Sequence, residues 1–168
     1  FGTSTPEPFI PIEWWGSQDG ASQYANVVYS AIVQAVAAGI HVVEAAGNGY
    51  YNLDSLTWYG DSGAIIVGAG GVSSGGSFPA TDLERIAFSS YGSDVDLQGW
   101  GEDVYTTGYG DLWTETNYNY TNTFSGTSSA SPMVAGAIAC CVGYWTQGLG
   151  NSASSLSPAT MKSVLVNT

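Results

Sequence analysis

Between Ser22 and Gly49 the spacing of apolar residues changes period, and that change restricts the fold more than any other feature of the chain. Tyr24, Val28, Ala31, Ile32, Ala35 and Val36 fall on one face of a helix, and Gly39 supplies its stop. Ile40 to Ala46 follows at once, nearly all apolar and β-branched in its early part. Such a run suits a strand buried on both faces, which is the habit of parallel sheets. Helix, glycine and buried strand make half of a doubly wound unit. The expected class is therefore α/β, a mostly parallel sheet with helices on both faces. At 168 residues the chain can build one domain with a real core.

Other segments fit that plan. Ala64 to Ala69, AIIVGA, predicts a second buried strand, and a loop rich in Gly and Ser spans Gly70 to Pro79. Short strands are expected over Ile86 to Tyr91, Asp94 to Gln98, Val104 to Thr107 and Tyr120 to Phe124. Ser128 to Val142 is apolar all round, which predicts a helix through the middle of the domain. Its Cys140 and Cys141 should be buried thiols that do not pair with each other, because disulfide geometry needs facing Cβ atoms. Ser157-Pro158 reads as an N-cap and first helical position, opening a last helix toward Val166. Near the start, Phe9 to Trp15 is expected to be extended.

Fourteen acidic residues stand against two basic ones, a formal net charge of −12. That surface repels nucleic acid and anionic lipid and suits an acidic or extracellular medium. The other reading of the imbalance is that a companion chain carries the basic residues. No apolar run is long enough to span a bilayer. No Cys/His cluster has the spacing of a metal site. Asn119-Tyr120-Thr121 is an N-glycosylation sequon, a hint of secretion. Because Phe1 is not a start methionine, the chain is expected to be processed or part of something longer.

Two segments carry chemistry. In Gly126-Thr127-Ser128-Ser129-Ala130-Ser131-Pro132 a strand gives way to a helix whose opening residues are hydroxylic. Ser128 would sit in the positive field of the helix start, where a developing oxyanion is favoured, with Pro132 tolerated in the first turn. Ala45-Ala46-Gly47-Asn48-Gly49 ends the buried strand at the sheet edge where open α/β sheets place ligands, and its Asn can aim an amide N–H at an oxyanion. Taken singly, the first is an ordinary Ser/Thr helix cap and the second an Asn-Gly turn. Together they closely resemble the subtilisin-like serine proteases, as does VDLQGWGEDVYTTGYG, Val95 to Gly110. The resemblance implies a serine endopeptidase working through an acyl-enzyme. Ser128 would be the nucleophile, and Asn48 with the Ser128 N–H would form the oxyanion hole. Ala45, Ala46, Gly47, Gly126 and Thr127 would line the pocket for the residue before the scissile bond. No cofactor is implied, and structural calcium stays open.

The departure from the family pattern is as informative. There the triad runs Asp, His, Ser along the chain, and both partners precede the oxyanion Asn. Here only 47 residues precede Asn48, and the sole histidine, His41, lies on the strand. It reads as a packed or partly exposed strand residue, not a base. A related family of acid serine peptidases replaces the base with Glu and Asp, but carries Asp where Asn48 stands. Glu44, within the buried run, is expected to be a structural carboxylate satisfied by backbone or a partner. The chain therefore reads as the C-terminal part of one subtilisin-like catalytic domain, lacking the segment with Asp and His. Its expected partners are an N-terminal chain or segment carrying those residues, and a peptide or protein substrate. The alternative is a non-catalytic structural or binding subunit of an extracellular assembly.

Overall fold

The period change at Gly39 produces the element boundary it predicts. In the computed structural model, which describes residues 11–14, 23–55, 60–72, 74–81, 83–108, 110–112 and 119–168, helix α1 spans Gln23–Ala37. Gly39 takes φ 87, and the N–H groups of Gly39 and Ile40 donate to the carbonyls of Val36 and Ala35. This is the paired terminal bonding that a left-handed glycine permits. Strand β1, Val43–Ala45, follows, then β2, Ile65–Gly70, and β3, Leu97–Trp100. The three are parallel in the order β1-β2-β3, with Val43 opposite Ile65 and Val67 opposite Leu97. Every residue of β2 is buried, as its continuous apolar run requires.

Strands β4, Val104–Thr107, and β5, Tyr120–Phe124, form an antiparallel pair that leads into α2, Thr127–Gly143. α2 lies across β1, β2 and β3. Ala130, Val134 and Ile138, spaced by four, meet Ile65 and Val67 there, together with Leu156 and Met161. α3, Pro158–Val166, is capped by Ser157, whose hydroxyl accepts from the Thr160 N–H at 3.1 Å. Alternation along β1 sends Glu44 to the face opposite Val43, where Ala46, Leu53 and Ile66 form a second, smaller core. The Gly/Ser loop after β2 is held from below by buried Glu102, which accepts from the N–H groups of Val72 (3.0 Å) and Phe78 (2.8 Å).

Several expectations change. Phe9 to Trp15 is not extended where it is described: Ile12–Trp14 is a single 3-10 turn, and residues 9, 10 and 15 lie outside the described residues. Pro11 precedes that turn, and its fixed φ is compatible with it. Ile86 to Tyr91 is a loop, not a strand, because side chains take the bonds a ladder would use. The Arg85 guanidinium donates to the carbonyls of Ile86, Ala87 and Ser89, and lies over the rings of Tyr50 and Tyr91. The strand expected over Asp94 to Gln98 starts three residues later, at Leu97. The Asp96 carboxylate instead accepts from the Ile66 N–H and pairs with Lys162 at 3.0 Å. Pro132 stands six residues into α2, beyond the first turn, so the helix forgoes the bond to the Ser128 carbonyl.

α2 is not enclosed. One face is buried, whereas Ala135, Gly136, Ala137, Ala139, Cys140 and Cys141 are exposed, so the expectation of buried thiols is wrong for this chain. An all-round apolar pattern predicts cover on every side, and the described residues cover only the face against the sheet. Both cysteines are free. Native 168-residue protein is therefore expected to react with a thiol reagent at both cysteines as fast as denatured protein does. Protection of either one in the native state would contradict this exposure.

Candidate active site

The carboxyl ends of β1 and β3 meet the amino end of α2, and backbone geometry fixes the meeting. Gly101, just past β3, accepts from the Gly126 N–H at 2.8 Å. Gly126 has φ 105, and a Cβ there would lie 3.0 Å from the Asn48 Nδ2. Only glycine supplies both that dihedral and that close approach. Ser129 closes the corner: its hydroxyl donates to the Trp100 and Gly126 carbonyls at 3.0 and 2.8 Å, tying the first turn of α2 to β3.

Thr127 performs the corresponding task for β1. Its N–H and its hydroxyl both donate to Asn48 Oδ1 at 2.9 Å, and its hydroxyl oxygen accepts from the Gly47 N–H at 3.1 Å. A backbone N–H can only donate, so the amide atom facing it must be oxygen. The Asn48 amide is therefore held in one orientation, and Nδ2 is the end that remains to donate. Gly47 supplies the φ of 91 that turns the chain out of β1.

Asn48 and Ser128 line the same cleft, of about 620 Å³, with Ala45, Gly47 and Thr127. Its other end is apolar, formed by Ile12, Val28, Ile32, Val42 and Val43. Of the residues singled out from sequence, Ala46 and Gly126 stand back from it. Ala46 is fully buried against Leu53 and Ile66, and Gly126 lies behind the Asn48 amide. Ser128 is exposed, and among the described residues no side chain hydrogen-bonds its hydroxyl. N–H groups in the first turn of a helix have no intrahelical acceptor, so this end of α2 can receive negative charge. What the arrangement can do chemically is hold an oxyanion between a fixed amide N–H and a helix start, next to a hydroxyl.

His41 lies before β1, at the opposite end of that strand from Asn48. Seven residues of near-extended chain separate them by about 20 Å, too far for a base. Its Nδ1 is buried without a hydrogen-bond partner. Glu44 also differs from expectation. It is 6% exposed and forms part of the cleft wall, yet neither carboxyl oxygen accepts a hydrogen bond. Burial, first, and then the charge of Glu13 push its pKa up to about 8; the Glu13 backbone N–H opposes this weakly, from outside hydrogen-bond geometry. Glu13, on the 3-10 turn, is itself buried and raised, again chiefly by desolvation. Among the described residues no group of three His, Cys, Asp or Glu could hold a metal ion.

Sequence reading singled out the serine segment and the asparagine turn, which the structure brings to one cleft, but not the parts that lock them. The Thr127 and Ser129 hydroxyls look like any cap residues in sequence, and only tertiary contact reveals their acceptors. A signal for the Glu13–Glu44 pair did exist: an acid within an apolar strand.

The family model for the subtilase family matches residues 14–168. The chain belongs to the subtilase family. Subtilases are serine peptidases. The Extracellular serine proteinase of Thermus sp. (strain Rt41A) is 36% identical to this subtilase over 110 residues, 66% of this chain and 23% of that protein. Subtilisin-like protease 2 of Pseudogymnoascus destructans is 34% identical over 120 residues, 71% of this chain and 26% of that protein. The chain thus spans about a quarter of the length of these curated relatives. Among solved structures, a cold adapted subtilisin-like serine proteinase shares the fold with a TM-score of 0.58, at 24% identity over 84% of this chain and 43% of that one. Proteases from Pseudoalteromonas arctica give 0.57 at 25% identity, covering 84% and 39%.

Proposed function

We propose that this subtilase chain is the C-terminal part of one catalytic domain of a serine endopeptidase, and that it is inactive alone. The observation that carries the reading is the Asn48 amide, held through its Oδ1 by Thr127 so that Nδ2 is left to donate, on the wall of the cleft that Ser128 also lines. Ser128 attacks the scissile carbonyl, and Asn48 with the Ser128 N–H receives the oxyanion. The substrate residue before the scissile bond lies against Ala45, Gly47 and Thr127, the three of the five expected pocket residues that line the cleft. A serine hydroxyl needs a base to take its proton, and neither His41 nor Glu44 stands where it could. The base and its orienting Asp come from an N-terminal chain or segment. Among the described residues one face of α2 is uncovered and one edge of β1 is unpaired, and such a segment would dock there.

The experiment is a fluorogenic peptide assay on the isolated chain and on the chain combined with an N-terminal segment carrying Asp and His. Silence alone and turnover in combination is expected. Hydrolysis by the isolated chain would overturn the reading. A pair that assembles yet stays silent would favour the non-catalytic structural or binding subunit, which the absence of a base beside Ser128 among the described residues also suits.

Secretion is the second part of the reading. It is supported by the acidic surface, by the name of the Thermus relative and by the exposure of Asn119 at the start of β5. Asn119 is expected to carry a glycan in a eukaryotic secretory host. A mass spectrum of its peptide that shows only the unmodified form would remove that support.

A further inference from the structure

Asn48 lies between two glycines, Gly47 and Gly49, so the turn that carries it has little stiffness of its own. Thr127 holds the end of the Asn48 side chain, but the backbone beneath is held from elsewhere. The loop over residues 86–91 brackets the turn. Its Ser90 N–H donates to the Gly47 carbonyl at 2.9 Å, and the Tyr50 N–H donates to its Phe88 carbonyl at 2.8 Å. Tyr50 needs that hold, because its φ of 56 is a left-handed conformation that an aromatic side chain disfavours.

The loop depends in turn on one side chain. Arg85 Nη1 donates to the carbonyls of Ile86 and Ala87 at 3.2 Å and of Ser89 at 2.8 Å. The same guanidinium lies 5.1 Å from the ring centre of Tyr50 and 4.8 Å from that of Tyr91. One ring follows the Asn48 turn and the other ends the loop, so a single cation ties the two together. Arg85 is one of only two basic residues in the chain, and among the described residues it forms no salt bridge. Its charge is directed at carbonyls and rings instead.

We propose that Arg85 is a positioning residue for the oxyanion hole, acting through the 86–91 loop and Tyr50 on the backbone that carries Asn48. The effect on rate rests on the peptidase reading, whereas the effect on Asn48 itself does not. An amide stabilises an oxyanion in proportion to how well it is aimed beforehand, so freedom in the turn lowers kcat and leaves substrate binding alone. The loop keeps a second anchor without Arg85: the Ile86 N–H donates to the Ala69 carbonyl at 2.9 Å, and the Ser89 hydroxyl accepts from the Ala69 N–H at 3.0 Å. Loss of the guanidinium therefore loosens the turn locally and does not unfold the domain.

The test has two readouts. In the isolated ¹⁵N-labelled chain, backbone order parameters at Asn48 and Gly49 are expected to fall below about 0.6 in Arg85→Met while those of α3 stay rigid. Arg85→Lys should retain most of the rigidity, because the three carbonyl bonds converge on one nitrogen that an ammonium can replace. In the reconstituted pair, Arg85→Met should lower kcat about tenfold with KM unchanged, and Arg85→Lys should lie within about threefold of the parent. In the Asn48→Ala background Arg85→Met should cost less than about twofold more. A turn that stays rigid in Arg85→Met overturns the proposal whatever the activity. So does a rise in KM at constant kcat, an equal loss without Asn48, or no rescue by lysine. Should Arg85→Met not melt cooperatively, Tyr91→Leu carries the same test, since it takes one ring from the guanidinium and no backbone bond: loosening confined to the turn supports the proposal and a rigid turn overturns it. Failure of the peptidase reading looks different: the turn loosens as expected while even the parent pair cleaves nothing.

Discussion

Alanine at Ser128 is expected to abolish hydrolysis by the reconstituted pair, lowering kcat by about 10⁶-fold, the scale known from subtilisin itself. The mutation removes the hydroxyl proposed to form the acyl-enzyme while leaving the corner that presents it intact. Gly126, Thr127 and Ser129, not Ser128, make the bonds that tie α2 to β1 and β3. Stability should therefore be unchanged, and loss of rate with an unchanged melt is the signature to look for. Asn48→Ala should cost about 10² to 10³ in kcat, again a magnitude taken from subtilisin, with little change in KM, because an oxyanion forms only on the reaction path. Thr127→Val distinguishes positioning from catalysis. It keeps the N–H donor to Asn48 Oδ1 but loses the hydroxyl that bridges Oδ1 and the Gly47 N–H. Its effect should be smaller than that of Asn48→Ala, and should vanish in the Asn48→Ala background. A full effect of Thr127→Val without Asn48 would show that the hydroxyl acts directly, and the clamp would be the wrong account.

How much of this was legible in the sequence follows from what each signal depends on. Local signals survived: the stop at Gly39, the Ser157 cap on α3, the buried run of β2. Each is set by the residue's own dihedrals or by burial on both faces. Signals that depend on what lies opposite did not. The apolar circumference of α2 promised cover on every side, and Cys140 and Cys141 are nevertheless exposed, because cover is a property of the rest of the domain. The loop over Ile86 to Tyr91 has β-prone residues, but Arg85 binds its carbonyls and no strand forms. At the candidate site, the serine segment and the asparagine turn stood out only together, through their joint resemblance to a family pattern, since singly each reads as an ordinary cap or turn. That the chain folds back over 79 residues so that Thr127 clamps Asn48 was not readable, since any hydroxyl caps a helix equally well in sequence.

Glu44 supplies the second large effect, on stability instead of rate. Its pKa is about 8 in the folded chain against an ordinary value of 4.5. The folded state therefore holds the proton more tightly than the unfolded state. The stability linked to that proton is fully present below pH 4.5 and is lost as the pH rises toward 8. At about 1.4 kcal/mol per pH unit the loss across that window is on the order of 4 kcal/mol. Glu13 changes stability in the same direction, since it too is raised, and ionising one carboxyl makes the other harder to ionise. Glu44→Gln keeps the shape and cannot ionise. Its melting temperature should match that of the parent chain at pH 4 and exceed it by about 10 °C at pH 8.5, at about 2–4 °C per kcal/mol for a chain of this size. Thermal melts of both proteins from pH 4 to pH 9 decide the matter. Parallel curves would mean that Glu44 is charged or satisfied in the folded chain, and diverging curves with the opposite sign would mean that its charge is stabilising. With the expected divergence, the Glu44 carboxyl favours the folded chain in mildly acidic surroundings and disfavours it as the pH rises.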